Sequence, residues 1–179
     1  MESRNFWRSG CRISAGRARL GDRETGSEEL REGIAAITAS GTKYWVPFFQ
    51  RLLAEVEADR ENVEQALTRA DDALALAHKT GEHWTDSVLH RIRGEILLKR
   101  NAANTAAAED ALLTAIAIAQ QKARSFELRA ARHLARLYNS TSRSTDAHAL
   151  LASALKGFSP TPEFPEIAEA QTLLSALTS

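Results

Sequence analysis

A single cysteine, a single methionine and four prolines in 179 residues leave this chain few of the devices that pin irregular folds. Cys11 has no second cysteine to pair with, which excludes an internal disulfide and fits a reducing compartment. In an apparent helix it reads as a small buried hydrophobe rather than a reactive thiol. No apolar run approaches the roughly 20 residues that a helical membrane span requires. The opening MESRNFWRSGCRIS carries arginines but no continuous apolar core, so it is not a secretory signal. These absences predict a cytoplasmic chain. Lysine plus arginine equals aspartate plus glutamate at 23 each, so no net field draws the molecule to nucleic acid or to an anionic membrane. Alanine and leucine outweigh valine and tyrosine, which favours helix over strand.

The motifs of catalysis are missing as well. Gly41-Thr42-Lys43 resembles the end of a phosphate-binding loop, but Ala39 and Ser40 supply no glycine-rich cradle and no strand precedes it. No Gly-x-Ser-x-Gly elbow is present. The histidines are His78, His83, His90, His133 and His148; the seven-residue spacing of His83 and His90 lacks an HExxH or Cys/His companion. The acidic pairs Asp71-Asp72 and Glu109-Asp110 fall on the polar backs of helices and read as solvated charge. A non-enzymatic chain without metal or cofactor follows.

What is present is helical period. Trp84, Val88, Ile92 and Ile96 recur every four residues with Leu89 and Leu97 alongside, Asn101–Thr105 breaks the pattern, and Ala108, Ala111, Leu112, Ala115, Ile116 and Ala119 form a second stripe. So many alanines in one stripe imply a partner helix packed closely. The same hairpin recurs along the chain. Small residues stand in each first helix at Gly16, Ala54, Gly94 and Ala135, at intervals of 38, 40 and 41, each preceded by an aromatic residue at Trp7, Trp45, Trp84 or Phe126. The second helices carry Gly26, Ala66, Ala108 and Ala147, then Gly33, Ala73, Ala115 and Ala154, with Leu30, Ala70, Leu112 and Leu151 between.

This spacing predicts an all-α fold, an α-α superhelix of about four hairpins over residues 6–40, 43–81, 83–122 and 125–157, in a single domain. Individual helices are expected over Phe6–Leu20, from Ser27 to about Ala39, from near Pro47 to Asp59 and from near Asn62 to Gly81. After the central hairpin they are expected over Ser125–Asn139 and from Ser144 or Thr145 to near Gly157. Ser159-Pro160-Thr161-Pro162 is a rigid connection to a last helix, 165–178, read as a cap over the final hairpin. The first end has no such cap, so the chain is expected either to continue from upstream repeats or to self-associate through the Trp7 and Ile13 edge.

A small residue in the first helix and small–large–small in the second resembles the tetratricopeptide (TPR) repeat, here with a longer period than the usual ~34 residues. LREGIAAITASGTKYWVPFF, RADDALALAHKTGEHW, LHRIRGEILLKR and SFELRAARHLARL resemble, more closely, the C-terminal repeat region of large bacterial ATPase and adenylate/guanylate-cyclase regulators. The catalytic activities of those proteins lie in other domains. Glu57 and Arg19 depart from the pattern, standing where an aromatic residue or leucine would close a hairpin.

The resemblance implies that first helices line a concave groove. Three residues before the small position stand Arg51, Arg91 and Arg132; one residue after it stand Arg17, Glu55, Glu95 and Arg136. Arginines on one wall suit carboxylates of a peptide. Against this, Arg51–Glu55 and Arg91–Glu95 are spaced to pair along their own helices. Arg132 has only Arg129 and Arg136 beside it, which leaves that end unneutralised. The expected function is a scaffold that binds a protein or peptide, acidic in character, through Arg51, Arg91, Glu95, Arg129, Arg132 and Arg136. The alternative is a nucleic-acid or nucleotide module using the same arginines, disfavoured by zero net charge and by the lack of a recognition helix.

Overall fold

The computed structural model describes residues 22–41, 43–59, 62–103, 105–121, 123–159 and 164–178. The helix expected over Phe6–Leu20 lies outside them, with Trp7, Cys11, Ile13, Gly16 and Arg19, as do Pro160, Thr161 and Pro162. Among the described residues the fold is all-α: α1 (Arg23–Ala39), α2 (Val46–Asp59), α3 (Val63–Thr80), a 3-10 turn at His83–Thr85, α4 (Asp86–Arg100), α5 (Ala106–Gln120), α6 (Arg124–Ser140), α7 (Ser144–Leu155) and α8 (Pro165–Ala176). The chain forms two compact units, Met1–Thr85 and Asp86–Ser179.

In the first unit α2 packs between α1 and α3. Leu30, Ile37, Val46, Phe49, Leu52 and Leu53 make its core, and each fully buried leucine or phenylalanine contributes about 2 kcal/mol of transfer free energy. Ala54 of α2 and Ala66, Ala70, Ala73 and Ala77 of α3 are completely buried. Side chains this small let the two backbones come together. Helix α1 begins four residues before the expected Ser27, with Asp22 at its N-cap position, and Ser27 is buried inside the helix. Pro47 sits in the first turn of α2, where its missing N–H costs nothing. Gly81 closes α3 at φ 74°, the left-handed conformation that favours glycine.

Glu57, the departure from the repeat pattern, is 1% exposed and joins three helices. Arg69 of α3 donates from Nε and Nη2 to its two oxygens at 2.7 and 3.1 Å, and Arg31 of α1 donates to Oε1 at 3.0 Å. A charged triad closes the hairpin where an apolar side chain was expected.

In the second unit α4 packs on α5, α5 on α6, α6 on α7 and α7 on α8. The first helices also meet one another, α4 with α6 and α6 with α8. Gly94 marks the tightest crossing: a Cβ there would lie 2.8 Å from Leu112 Cγ and 3.2 Å from the Ala108 carbonyl oxygen. Ala108, Leu112, Ala115, Ala135, Ala147 and Leu151 are fully buried, and Ala154 nearly so. The buried Ser87 hydroxyl donates to the Ala115 carbonyl at 2.9 Å, which satisfies it and joins α4 to α5. Trp84 departs from the expected α4 stripe. It belongs to the 3-10 turn of the first unit, and its ring stays 39% exposed.

Glu109 is also not simply solvated charge. It accepts a hydrogen bond from the Tyr138 hydroxyl at 2.9 Å and an ion pair from Arg143, whose guanidinium lies 3.8 Å over the Tyr138 ring and also reaches Asp146. That knot ties α5, α6 and the start of α7. Burial and the Glu109 carboxylate both push the Tyr138 phenol above its ordinary pKa.

Candidate partner-binding face

The helical period sets Arg129, Arg132, His133 and Arg136 on one face of α6, since positions i, i+3, i+4 and i+7 share a face. On α4 the same logic aligns Arg91 with Glu95, and the two side chains form an ion pair. His133 Nε2 lies 3.2 Å from the Glu95 carboxylate, a contact that connects α4 to α6. His133 is driven down to about 3, first by burial and then by the charges of Arg91, Arg132 and Arg136. Glu95 is already committed to Arg91, so its charge does not hold a second proton on the imidazole. His133 is therefore neutral beside Glu95.

The end of α6 expected to be unneutralised is not. Glu166 and Glu169 of α8 reach Arg129 and Arg132 respectively. Both pairs join residues 37 apart, and both sets are spaced i, i+3, so α8 lays a matched pair of carboxylates along the α6 arginines. The backbone N–H of Glu166 itself, then the Arg129 and Arg132 charges, hold the Glu166 carboxyl below the usual carboxylate range. Burial pushes the Arg132 guanidinium down from its ordinary value, opposed by Glu169. Arg132 Nε is buried without an acceptor. Arg136 is exposed and has no ion-pair partner among the described residues.

The second unit thus brings together five of the six residues expected to bind a partner: Arg91, Glu95, Arg129, Arg132 and Arg136. His133 as their link, and Glu166 and Glu169 as their occupants, are not among the residues expected from the sequence. A signal existed, since a constant offset of 37 is close to the repeat length.

Arg51 belongs to the first unit. It pairs with Glu55 at 3.2 Å, and its guanidinium stands 4.8 Å from the Phe48 ring centroid. Phe48 is part of an aromatic cluster: its ring stacks on Trp84 at 5.5 Å, Trp45 meets Trp84 edge-on at 5.1 Å, and Tyr44 meets Trp45 at 5.5 Å. Trp45 holds a left-handed φ of 73° that aromatic side chains rarely adopt. Its backbone N–H donates to Oε2 of the buried Glu82 at 3.1 Å, which with the ring contacts keeps it there. Burial raises the Glu82 carboxyl, against the lowering by that hydrogen bond. Among the described residues no cluster of three metal-ligating side chains occurs, and no helix is long and apolar enough to cross a membrane.

Hairpins of small-residue-lined helices with interleaved first helices are found in solved repeat proteins. The fold is TPR-like. The crystal structure of nearly identical TPR-like repeats from Podosopora anserina, assigned to a kinesin light chain, superimposes with a TM-score of 0.74 at 20% identity. That match covers 99% of this chain and 87% of the other, and a singly substituted form of the same protein gives 0.76 at 19% identity over the same shares. No protein-family profile matches the chain, and no curated protein does.

Proposed function

We propose that this TPR-like chain is a non-catalytic interaction scaffold, and that the α4–α6 face binds an acidic segment of a partner protein. The observation that carries the reading is the pairing of Arg129 and Arg132 with two carboxylates borne on a helix, because the face already accommodates that chemistry. Arg136, exposed and without an ion-pair partner among the described residues, provides donors for a further carboxylate. Specificity would come from charge and spacing, and affinity from a preorganised surface. Service as the repeat region of a bacterial signalling regulator belongs to the same proposal and rests on the sequence resemblance. Nucleic acid is the weaker partner, since glutamates already offset the arginines that would meet phosphate.

The test is fluorescence anisotropy with a labelled acidic helical peptide carrying glutamates at i and i+3. Arg132→Ala with Arg136→Ala should weaken binding about tenfold, as expected for losing charged partners in a half-buried site. Binding should fall only modestly between 50 and 200 mM salt, whereas many phosphate contacts would give a steep loss. Binding unchanged by the double substitution refutes the site.

A further inference from the structure

Helix α8 is held with little burial of its own. Only Ile167 and Ala170 are buried on it, whereas α6 buries seven residues. Two ion pairs, through Glu166 and Glu169, tie it to α6, and Leu173 and Leu174 are half-buried. It lies against α6 just as α6 lies against α4, in the place of a following first helix. Each glutamate is followed directly by one of the buried apolar residues, Glu166-Ile167 and Glu169-Ala170. Carboxylates three apart, each beside an apolar residue that packs down, form a short template that the α6 surface recognises.

We infer that α8 is a resident occupant of the arginine face, and that the partner is an acidic amphipathic helix which displaces it by offering the same template. This rests on the acidic-partner reading above and adds both the form of the ligand and its regulation. Electrostatic complementarity selects the occupant: Arg129, Arg132 and Arg136 run along α6, and two of the three already hold α8 carboxylates. A partner helix with a third carboxylate one turn further along would reach Arg136 as well. Such a helix would exceed α8 in charge contacts while matching its apolar ones. The resident helix therefore sets a threshold that weakly acidic segments do not pass.

The experiment uses the full chain and a fluorescein-labelled peptide copying residues 164–178. Glu166→Gln with Glu169→Gln in the protein should bind the peptide about fivefold more tightly than the unaltered chain, the release of two part-exposed ion pairs. Ile167→Ser, which loosens α8 by its apolar anchor, should act in the same direction. Saturating peptide should speed amide exchange in α8 of the unaltered chain while leaving α5 protected. Equal affinity for the unaltered and both altered proteins would overturn the displacement and leave the acidic-partner reading standing. Absence of binding to all of them, with circular dichroism unchanged, would sink both. Equal binding of a peptide with glutamine at both glutamate positions would overturn charge recognition. A dimer appearing in light scattering as α8 is released would assign the place to the α8 of a second copy and overturn the partner.

Discussion

Replacing Glu57 separates two accounts of a buried charge. The carboxylate is 1% exposed and takes three donors, Arg69 Nε and Nη2 and Arg31 Nη2, while the two arginine side chains keep 22% and 39% of their surface in water. Glu57→Gln removes the charge, keeps the volume and turns an amide N–H₂ towards a guanidinium. Removing one member of a buried ion pair costs about 3–5 kcal/mol when its partner stays stranded. Here both arginines can swing to solvent, so the expected loss is nearer ~2–3 kcal/mol. Glu57→Leu frees the arginines equally but fills the site with apolar surface, a gain of about 2 kcal/mol that offsets most of the loss. The leucine form should then lie within about 1 kcal/mol of the unaltered protein. Amide exchange in α1–α3 reads this locally, which matters because a chain of two compact units need not unfold in one step. A glutamine form as stable as the original, or a leucine form less stable than the glutamine form, would refute the reasoning.

Gly94→Ala should destabilise the second unit by about 1–2 kcal/mol despite alanine's better helix propensity, because the new Cβ meets Leu112 Cγ at 2.8 Å and the Ala108 carbonyl at 3.2 Å. Adding Leu112→Ala should relieve the first contact but not the second, and urea unfolding of the single and double variants checks this coupling. Because His133 is held down to about 3, the unfolded chain takes up a proton below about pH 6.5 that the folded chain refuses. Its contribution is present at pH 7 and lost on acidification through the window from 6.5 to about 3. The slope is at most about 1.4 kcal/mol per pH unit. His133→Gln should flatten the profile of unfolding midpoint against pH, and an unchanged slope would contradict the assignment.

The packing is legible in the sequence because helix crossings this close demand residues without bulk. Ala54, Gly94 and Ala135 announce themselves by size and interval, and all three are buried. Electrostatic partnerships are not legible in the same way. Glu57 looks like a mismatch until folding brings Arg31 and Arg69 to it from 26 and 12 residues away. Arg132 looks unneutralised because period alone does not tell which helix will lie beside it, and Glu169 is 37 residues downstream. Glu109 reads as solvated for the same reason, its partners Tyr138 and Arg143 being 29 and 34 residues on. Trp84 follows the α4 spacing by coincidence, since a 3-10 turn at His83–Thr85 shifts the ring away from that stripe. The left-handed Trp45 leaves no mark in residue order at all, since it is fixed by its ring neighbours and by Glu82.

The Tyr138–Glu109–Arg143 knot bears on how any arriving helix is received. It grips the C-terminal turn of α6, while the arginines that meet α8 lie from the second turn to the middle of that helix, which is about 25 Å long. Helix α6 is thus a beam clamped at its far end whether or not α8 is seated. A newcomer meets a landing strip that needs no assembly, and any recoil it causes must pivot about Tyr138.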